Sequence, residues 1–270
     1  MKKTKKFLAI VLLCVILLTA FTAAGCSSVT GKLDKIKSAG KIIVYTDPNF
    51  QPFEFSGADG KPQGVDIEIA NAIAAELGVE VSFTETKFDS ILMAIKGGKG
   101  DIAISGFTIT DERKKSVDFS NPYIESVQYL ILPEGSDISV MEDLAGKKVG
   151  VAQGYTGQFI MEDETADEGV LAGTNTEIKE YNSAIDATLD LQAGRIDAVV
   201  MDEYVAQNIA SQNSGIYAMA LRYQSGELLA EEYGVAVAKG NEDLLEIINK
   251  VIKQIKEEDK IREWVIQYSE

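Results

Sequence analysis

Arg113, Lys114 and Lys115 follow a short hydroxyl-rich turn in the stretch SGFTITDERKKSVDFSNPY (105–123), inside an otherwise acidic chain. Three adjacent cations can form a solvated face, or one of them can be a fixed receptor for a small anion. Thr110 has the residue type of a helix N-cap, and Asp111 and Glu112 fall in the first turn, where acids favour the helix dipole. Arg113 then follows a strand end, a turn and a helix start, so its reach can be fixed. A guanidinium suits a carboxylate because its fork makes two parallel hydrogen bonds. Lys114 and Lys115 lack that geometry. Ser105, Gly106 and Thr108 offer backbone groups and hydroxyls on the same turn, and Gly106 has no side chain to keep a ligand off the backbone. From these residues alone, a surface cation and a plain strand-to-helix turn are the alternatives.

Composition narrows the chemistry. The 270-residue chain has no histidine, so the usual general base and zinc ligand is missing. It begins MKKTKKFLAIVLLCVILLTAFTAAGC, with lysines, an apolar run from Phe7 to Leu18 and small residues before Cys26. That is an export signal (1–25), too short in its apolar run for the roughly 20 residues of a membrane-spanning helix. TAAGC followed by SS resembles a bacterial lipoprotein cleavage box, with Ala23 where the pattern usually has Leu and Cys26 as the lipidated residue. Ordinary secretory cleavage, with Cys26 an idle thiol, is the alternative. Cys14 lies within the leader, so the mature chain has no disulfide and relies on its core. Without the leader's four lysines, 22 Lys+Arg face 42 Asp+Glu, a net charge of −20. Such a surface repels phosphate backbones, and nucleic acid is not expected as a partner. The remaining chain is long enough for two domains.

The elements that would position these residues alternate. A polar tether (26–39) ending in a short helix precedes the strand KIIVYTD, which Asp47-Pro48 stops. VDIEIANAIAAELG carries apolar residues at helical spacing, with Gly78 at the C-cap position. VEVSFTE reads as strand, FDSILMAIKGG as helix and DIAISG as buried strand. The pattern restarts with KKVGVAQG, YTGQFIMEDE, TEIKEYN, SAIDATLDLQAG and RIDAVVMD. Such alternation implies parallel sheets. Segments 90–106 and 184–202 resemble each other. Matching Asp101 to Asp197 pairs Ser105 with Met201 and Gly106 with Asp202, at the carboxyl ends of strands, where open α/β sheets bind ligands. Taken alone, Asp202 can equally be a helix cap. YGVAVAKG gives a last strand, EDLLEIINKVIKQIKEED an amphipathic helix with Leu244, Ile248, Val251 and Ile255 on one stripe, and KIREWVIQY a terminal helix with Trp264 expected against the sheet.

Several stretches together resemble the extracellular solute-binding proteins of polar amino acid ABC transporters, bacterial solute-binding protein family 3. They are TDPNFQPFEF (46–55), GVDIEIANAIAAELG (64–78), FDSILMAIKGGKGDIAISGFTITDERKKSVDFSNPY (88–123), GKKVGVAQGYTG (146–157), LQAGRIDAVVMDEYVA (191–206) and YGVAVAKG (233–240). The resemblance implies an α/β, two-lobed periplasmic-binding-protein fold (type II), each lobe a mostly parallel sheet flanked by helices. Lobe 1 would comprise 40–127 and 233–270, and lobe 2 128–232, with crossings near ESVQYL and just before Tyr233. Two crossings make a hinge that permits closure.

The resemblance also implies roles. Arg113 would hold a ligand α-carboxylate, and the turn of Ser105, Gly106 and Thr108 would contact both α-carboxylate and α-ammonium. The Thr156 backbone N–H, near a helix N-terminus, would face the carboxylate from the other lobe, and Asp202 would accept the α-ammonium. Phe50 and Phe88 would be aromatic walls around the ligand side chain, and Asp47 would meet its polar end. In the stretch from Ala152 to Gly157, Ala152 and Tyr155 take the places of a Gln and a Thr in the family's common Q-x-G-T-T-G. Stacked aromatics with a carboxylate beyond them favour glutamine, arginine or lysine. The implied partners are a free L-amino acid, an ABC permease and a lipid anchor on Cys26 at the outer face of the membrane. The chain is expected to be a monomer with no cofactor or metal. A receptor presenting ligand to a membrane kinase, or a dehydratase-like enzyme on the same fold using Asp47 or Glu54, are the alternatives.

Overall fold

Two large β-sheets flanked by helices, and one small sheet, carry the chain in the computed structural model, which describes residues 31–269. The export signal, Cys26 and the first residues of the tether lie outside the described residues. The tether's end is helix α1 (Lys32–Ala39), and β1 (Lys41–Thr46) follows. β1 pairs in parallel with β5 (Glu80–Glu85) and β6 (Ile102–Ala103). Helix α2 (Val65–Leu77) stops at Gly78, whose φ of 68° a glycine adopts without strain. A three-stranded hairpin sheet of β2 (Asn49–Phe50), β3 (Glu54–Ser56) and β4 (Pro62–Gln63) fills the β1–α2 connection. Helix α3 (Phe88–Lys96), the one-turn α4 (Asp111–Lys114) and β7 (Val117–Phe119) complete this part.

β8 (Ile124–Pro133) then leads into the second sheet, with β9 (Lys148–Ala152), α5 (Thr156–Thr165), β10 (Glu177–Tyr181), α6 (Ala184–Gln192), β11 (Ala198–Asp202), α7 (Glu203–Gln212) and β12 (Ile216–Ala220). Its order is β10-β9-β11-β8-β12. β13 (Ala230–Tyr233) pairs antiparallel with the start of β8 and hands the chain back to β14 (Ala236–Ala238). The first sheet reads β5-β1-β6-β14-β7.

Each large sheet is mostly parallel, as expected: four strands of each order run the same way and one is reversed. Strands β1, β5 and β6, and likewise β9, β10 and β11, are parallel. β14 and β8 run against their neighbours. The antiparallel pairings arise where the chain passes between the sheets, because a strand arriving from the other sheet enters from the opposite end. Along β11, Ala198 and Val200 enter one core cluster while Val199 and Met201 enter another, so this strand is apolar throughout because both faces are covered.

The internal repeat is physical. Asp101 accepts the Ile43 N–H at 2.7 Å, and its own N–H donates to the Ile43 carbonyl at 2.9 Å. Asp197 does the same with Lys148, at 2.7 and 2.8 Å. In each sheet one aspartate locks the start of the strand after a helix to the neighbouring strand, fixing the register of the pair. Helix α8 (Glu242–Glu257) buries Leu244, Ile248, Val251 and Ile255. Helix α9 (Lys260–Ser269) packs on α2 and α8, and Trp264 is partly buried against the core cluster. No described helix is long and apolar enough to cross a membrane.

Candidate functional site

The carboxyl ends of β1, β6, β9 and β11 deliver Asp47, Ser105, the Gly154–Thr156 loop and Asp202 to one seam between the sheets. Asp47 is buried, and its carboxylate accepts the Asn49 side-chain amide at 2.5 Å and the Phe88 N–H at 3.0 Å. Burial raises its pKa, and those two hydrogen bonds oppose the shift. Its backbone N–H donates to the Ser105 hydroxyl at 3.0 Å, and that hydroxyl donates to Glu54 at 2.6 Å. Gly106, at φ 54°, donates its N–H to Asp66 at 2.7 Å. A Cβ on Gly106 would come within 2.3 Å of the Phe50 ring. The Phe50 ring therefore requires glycine at this position.

Arg113 is fixed as its local sequence anticipates. The Thr110 hydroxyl accepts the Arg113 N–H at 3.2 Å and caps α4. Lys114 and Lys115 lie on the surface and pair with Asp111 and Glu112. The Arg113 guanidinium turns inward, donating to the Thr108 carbonyl at 2.8 Å and to the Gly154 carbonyl at 3.0 Å. It lies 5.5 Å from the ring centres of both Phe88 and Phe107, a cation–π arrangement. Burial lowers its pKa, while the charges of Asp202 and Glu231 act to raise it.

Across the seam, the Thr156 hydroxyl donates to the Thr108 hydroxyl at 2.8 Å. Thr156 opens α5 behind Tyr155, whose ring lies 4.2 Å from Phe88 and 5.6 Å from Phe50. Tyr155 thus stands between the two residues expected to be aromatic walls.

Asp202 makes no side-chain cap bond to α7, although it occupies the cap position. Its carboxylate accepts Gln128 Nε2 and the Tyr233 hydroxyl, each at 2.6 Å. Glu231 accepts the Thr108 hydroxyl at 2.9 Å and Gln128 Nε2 at 3.0 Å. Burial raises both carboxyls, and Glu231 is pushed well above the usual range because Asp202 lies beside it. Asp202 is held down by Tyr233, Gln128 and the Arg113 charge, which makes it the anionic member of the pair. One guanidinium and one carboxylate, both withdrawn from water, therefore face the seam from opposite sheets. Fixed opposite charges of this kind match the two ends of a zwitterion.

The sequence profile of the bacterial extracellular solute-binding proteins, family 3, matches residues 42–270. The chain belongs to that family. It is 34% identical over 235 residues to the L-cystine-binding protein TcyJ of Escherichia coli (strain K12), covering 86% of this chain and 84% of that one. It is 33% identical to the L-arginine-binding protein of Pseudomonas aeruginosa (strain PAO1), covering 82% and 85%. A solved structure of an amino acid ABC transporter substrate-binding protein from Streptococcus pneumoniae, bound to L-arginine, superposes with a TM-score of 0.79 at 32% identity, covering 88% of this chain and 98% of that one. These similarities place the present family 3 chain among two-lobed binding proteins.

All nine ligand-site residues expected from the sequence (Asp47, Phe50, Phe88, Ser105, Gly106, Thr108, Arg113, Thr156 and Asp202) lie along this seam. Sequence reasoning missed Gln128, Glu231 and Tyr233, which come from the two crossing strands and bind Asp202 and Thr108. A signal existed: along β8, Ser126 and Gln128 are polar residues at buried alternate positions. It also missed Phe107 behind Arg113. Tyr155 was noted only as a departure from the common loop, and its ring position has no counterpart in local sequence.

Proposed function

We propose that this family 3 protein captures a free polar L-amino acid between its lobes and delivers it to the membrane permease of an ABC importer. The lobes are assigned as 40–127 with 233–270, and 128–232. Arg113 receives the α-carboxylate with Thr108 and the Thr156 backbone N–H, and Asp202 receives the α-ammonium with Thr108 and the Ser105–Gly106 turn. The side chain extends between Phe50 and Phe88 toward Asp47, an arrangement that favours glutamine, arginine or lysine. The chain acts as a monomeric binding protein, not an enzyme, anchored outside the cytoplasm through lipid on Cys26.

The observation that carries this reading is the Arg113 guanidinium, which spans from Thr108 in one lobe to Gly154 in the other. Its donors lie at the place where closure brings the lobes together. Relatives named for arginine and cystine binding support a polar amino acid as ligand. Each charge-assisted hydrogen bond to the zwitterion contributes about 1.5–3 kcal/mol. Because the contacts are divided between lobes, ligand favours the closed form through differential affinity, and a permease can read that form.

The test is a thermal-shift screen of the mature protein against the twenty amino acids, after mild unfolding and refolding to release carried ligand. A polar amino acid should raise the melting temperature, as any ligand selective for the folded state does. No shift with any amino acid rejects the proposal.

A further inference from the structure

We propose that Glu54 and Asp66 share a single proton at neutral pH and together act as a positioning clamp beneath the Ser105–Gly106 turn. Both residues are fully buried, at 0% exposure. Each carboxyl spends one oxygen on the turn: Glu54 Oε1 accepts the Ser105 hydroxyl, and Asp66 Oδ2 accepts the Gly106 N–H. The other two oxygens, Glu54 Oε2 and Asp66 Oδ1, are buried without a hydrogen-bond partner, as is the Tyr123 hydroxyl beside Asp66. A proton on one carboxyl would let the two hydrogen-bond each other, and each acts on the other's titration in that sense. Two carboxylates cannot do that without a proton between them, and like charges at such range cannot both ionise readily.

Nothing around the pair supplies a compensating cation. Among the described residues no salt bridge reaches either carboxyl. The titratable groups that face the pair are themselves acids: Asp47 after β1, the Tyr123 hydroxyl before β8 and Tyr155 from the opposite lobe. Burial pushes Asp66 up to about 6 and Glu54 well above its usual range, so the proton rests on Glu54 and is donated to Asp66.

The clamp reaches the seam through one hydroxyl. Ser105 donates to Glu54 while accepting the Asp47 N–H, and Asp47 in turn holds the Phe88 N–H. Losing the proton places two like charges in contact and forces apart β3 and α2, the elements that hold the turn. A Gln at position 54 can make the same two hydrogen bonds, through its amide N–H to Asp66 and its carbonyl to Ser105, without titrating.

The direct test is carbon-13 NMR of the side-chain carboxyls in the unliganded mature protein, titrated with pH. At pH 7 the Glu54 carboxyl carbon should show the shift of a protonated acid and should titrate far above 4.5, its ordinary value. An ionised Glu54 at pH 7, or ordinary titration, overturns the proposal without any variant being made. The second arm measures L-arginine affinity at about pH 7 and about pH 9 in wild type and Glu54→Gln. This arm rests on the amino acid reading of the cleft, whereas the NMR arm does not. Wild type should lose at least about threefold more affinity over that range than the variant, which cancels the ligand's own titration. Equal losses in the two proteins would remove the clamp's role in binding. Absence of L-arginine binding in both would count against the ligand assignment and leave the NMR result to decide the proton.

Discussion

Tyr155 and Phe88 lie ring against ring across the seam, their centres 4.2 Å apart. Phe50 flanks the same tyrosine at 5.6 Å. A ligand side chain that is to lie between Phe50 and Phe88 must displace this ring. Aromatic pairs contribute about 0.5–1.5 kcal/mol each beyond area burial. Replacing Tyr155 with Thr, the residue of the common family loop, should therefore strengthen amino acid binding by roughly fivefold to tenfold in calorimetry. Weakened binding would mean that Tyr155 is itself a wall of the ligand site.

Asp202 sits where a helix cap is expected yet bonds Gln128 and Tyr233 instead. Its charge acts on that of Arg113 across the seam. Asp202→Asn should weaken an amino acid by about tenfold to a hundredfold, the size of one charge-assisted hydrogen bond. The deaminated analogue, already a weak ligand, should lose little. Equal losses for both compounds would reject an ammonium role.

Gly106 combines a φ of 54° with a Phe50 ring that leaves no room for a Cβ. Gly106→Ala should lower folding stability by about 2 kcal/mol or more through strain and overpacking. It should also weaken ligand binding, since Phe50 must move. Chemical denaturation indistinguishable from wild type would show that the turn relaxes freely.

The acid range tests the buried carboxyls by sign. Asp66 is raised from 3.8 to about 6 by burial. Its folded form therefore holds a proton that the unfolded chain releases at lower pH. The stability this contributes is fully present below about 3.8 and is lost as pH rises through about 6. Between pH 4 and pH 7 wild type should thus lose more melting temperature, or gain less, than Asp66→Asn. The same pH response in both would place the Asp66 pKa near its ordinary value.

Much of this was legible locally. Strand and helix segments followed apolar periodicity, Gly78 marked a helix end, and Asp101 and Asp197 marked equivalent joints in the two sheets. Thr110 and Asp111 announced the short helix that carries Arg113. The antiparallel returns of β8 and β14 were not legible, because strand direction depends on which sheet the chain has just left. Glu231 and Gln128 were hidden for a related reason. Their partners Thr108 and Asp202 are distant in sequence: Gln128 meets Asp202 through the pairing of β8 with β11, and Glu231 meets Thr108 beside the bridge from Thr108 to Tyr233. Glu54 stood out only as a possible catalytic carboxylate and Asp66 not at all, and their burial appears only once β3 and α2 close under the turn.

The central claim is that Arg113 grips the carboxylate of a free amino acid. Isothermal calorimetry of Arg113→Ala, with the amino acid giving the largest thermal shift in wild type, tests it most directly. Two charge-assisted hydrogen bonds are at stake, so affinity should fall at least about a hundredfold while the far-ultraviolet circular dichroism stays that of a folded protein. Near-wild-type affinity in a folded Arg113→Ala protein would contradict the account.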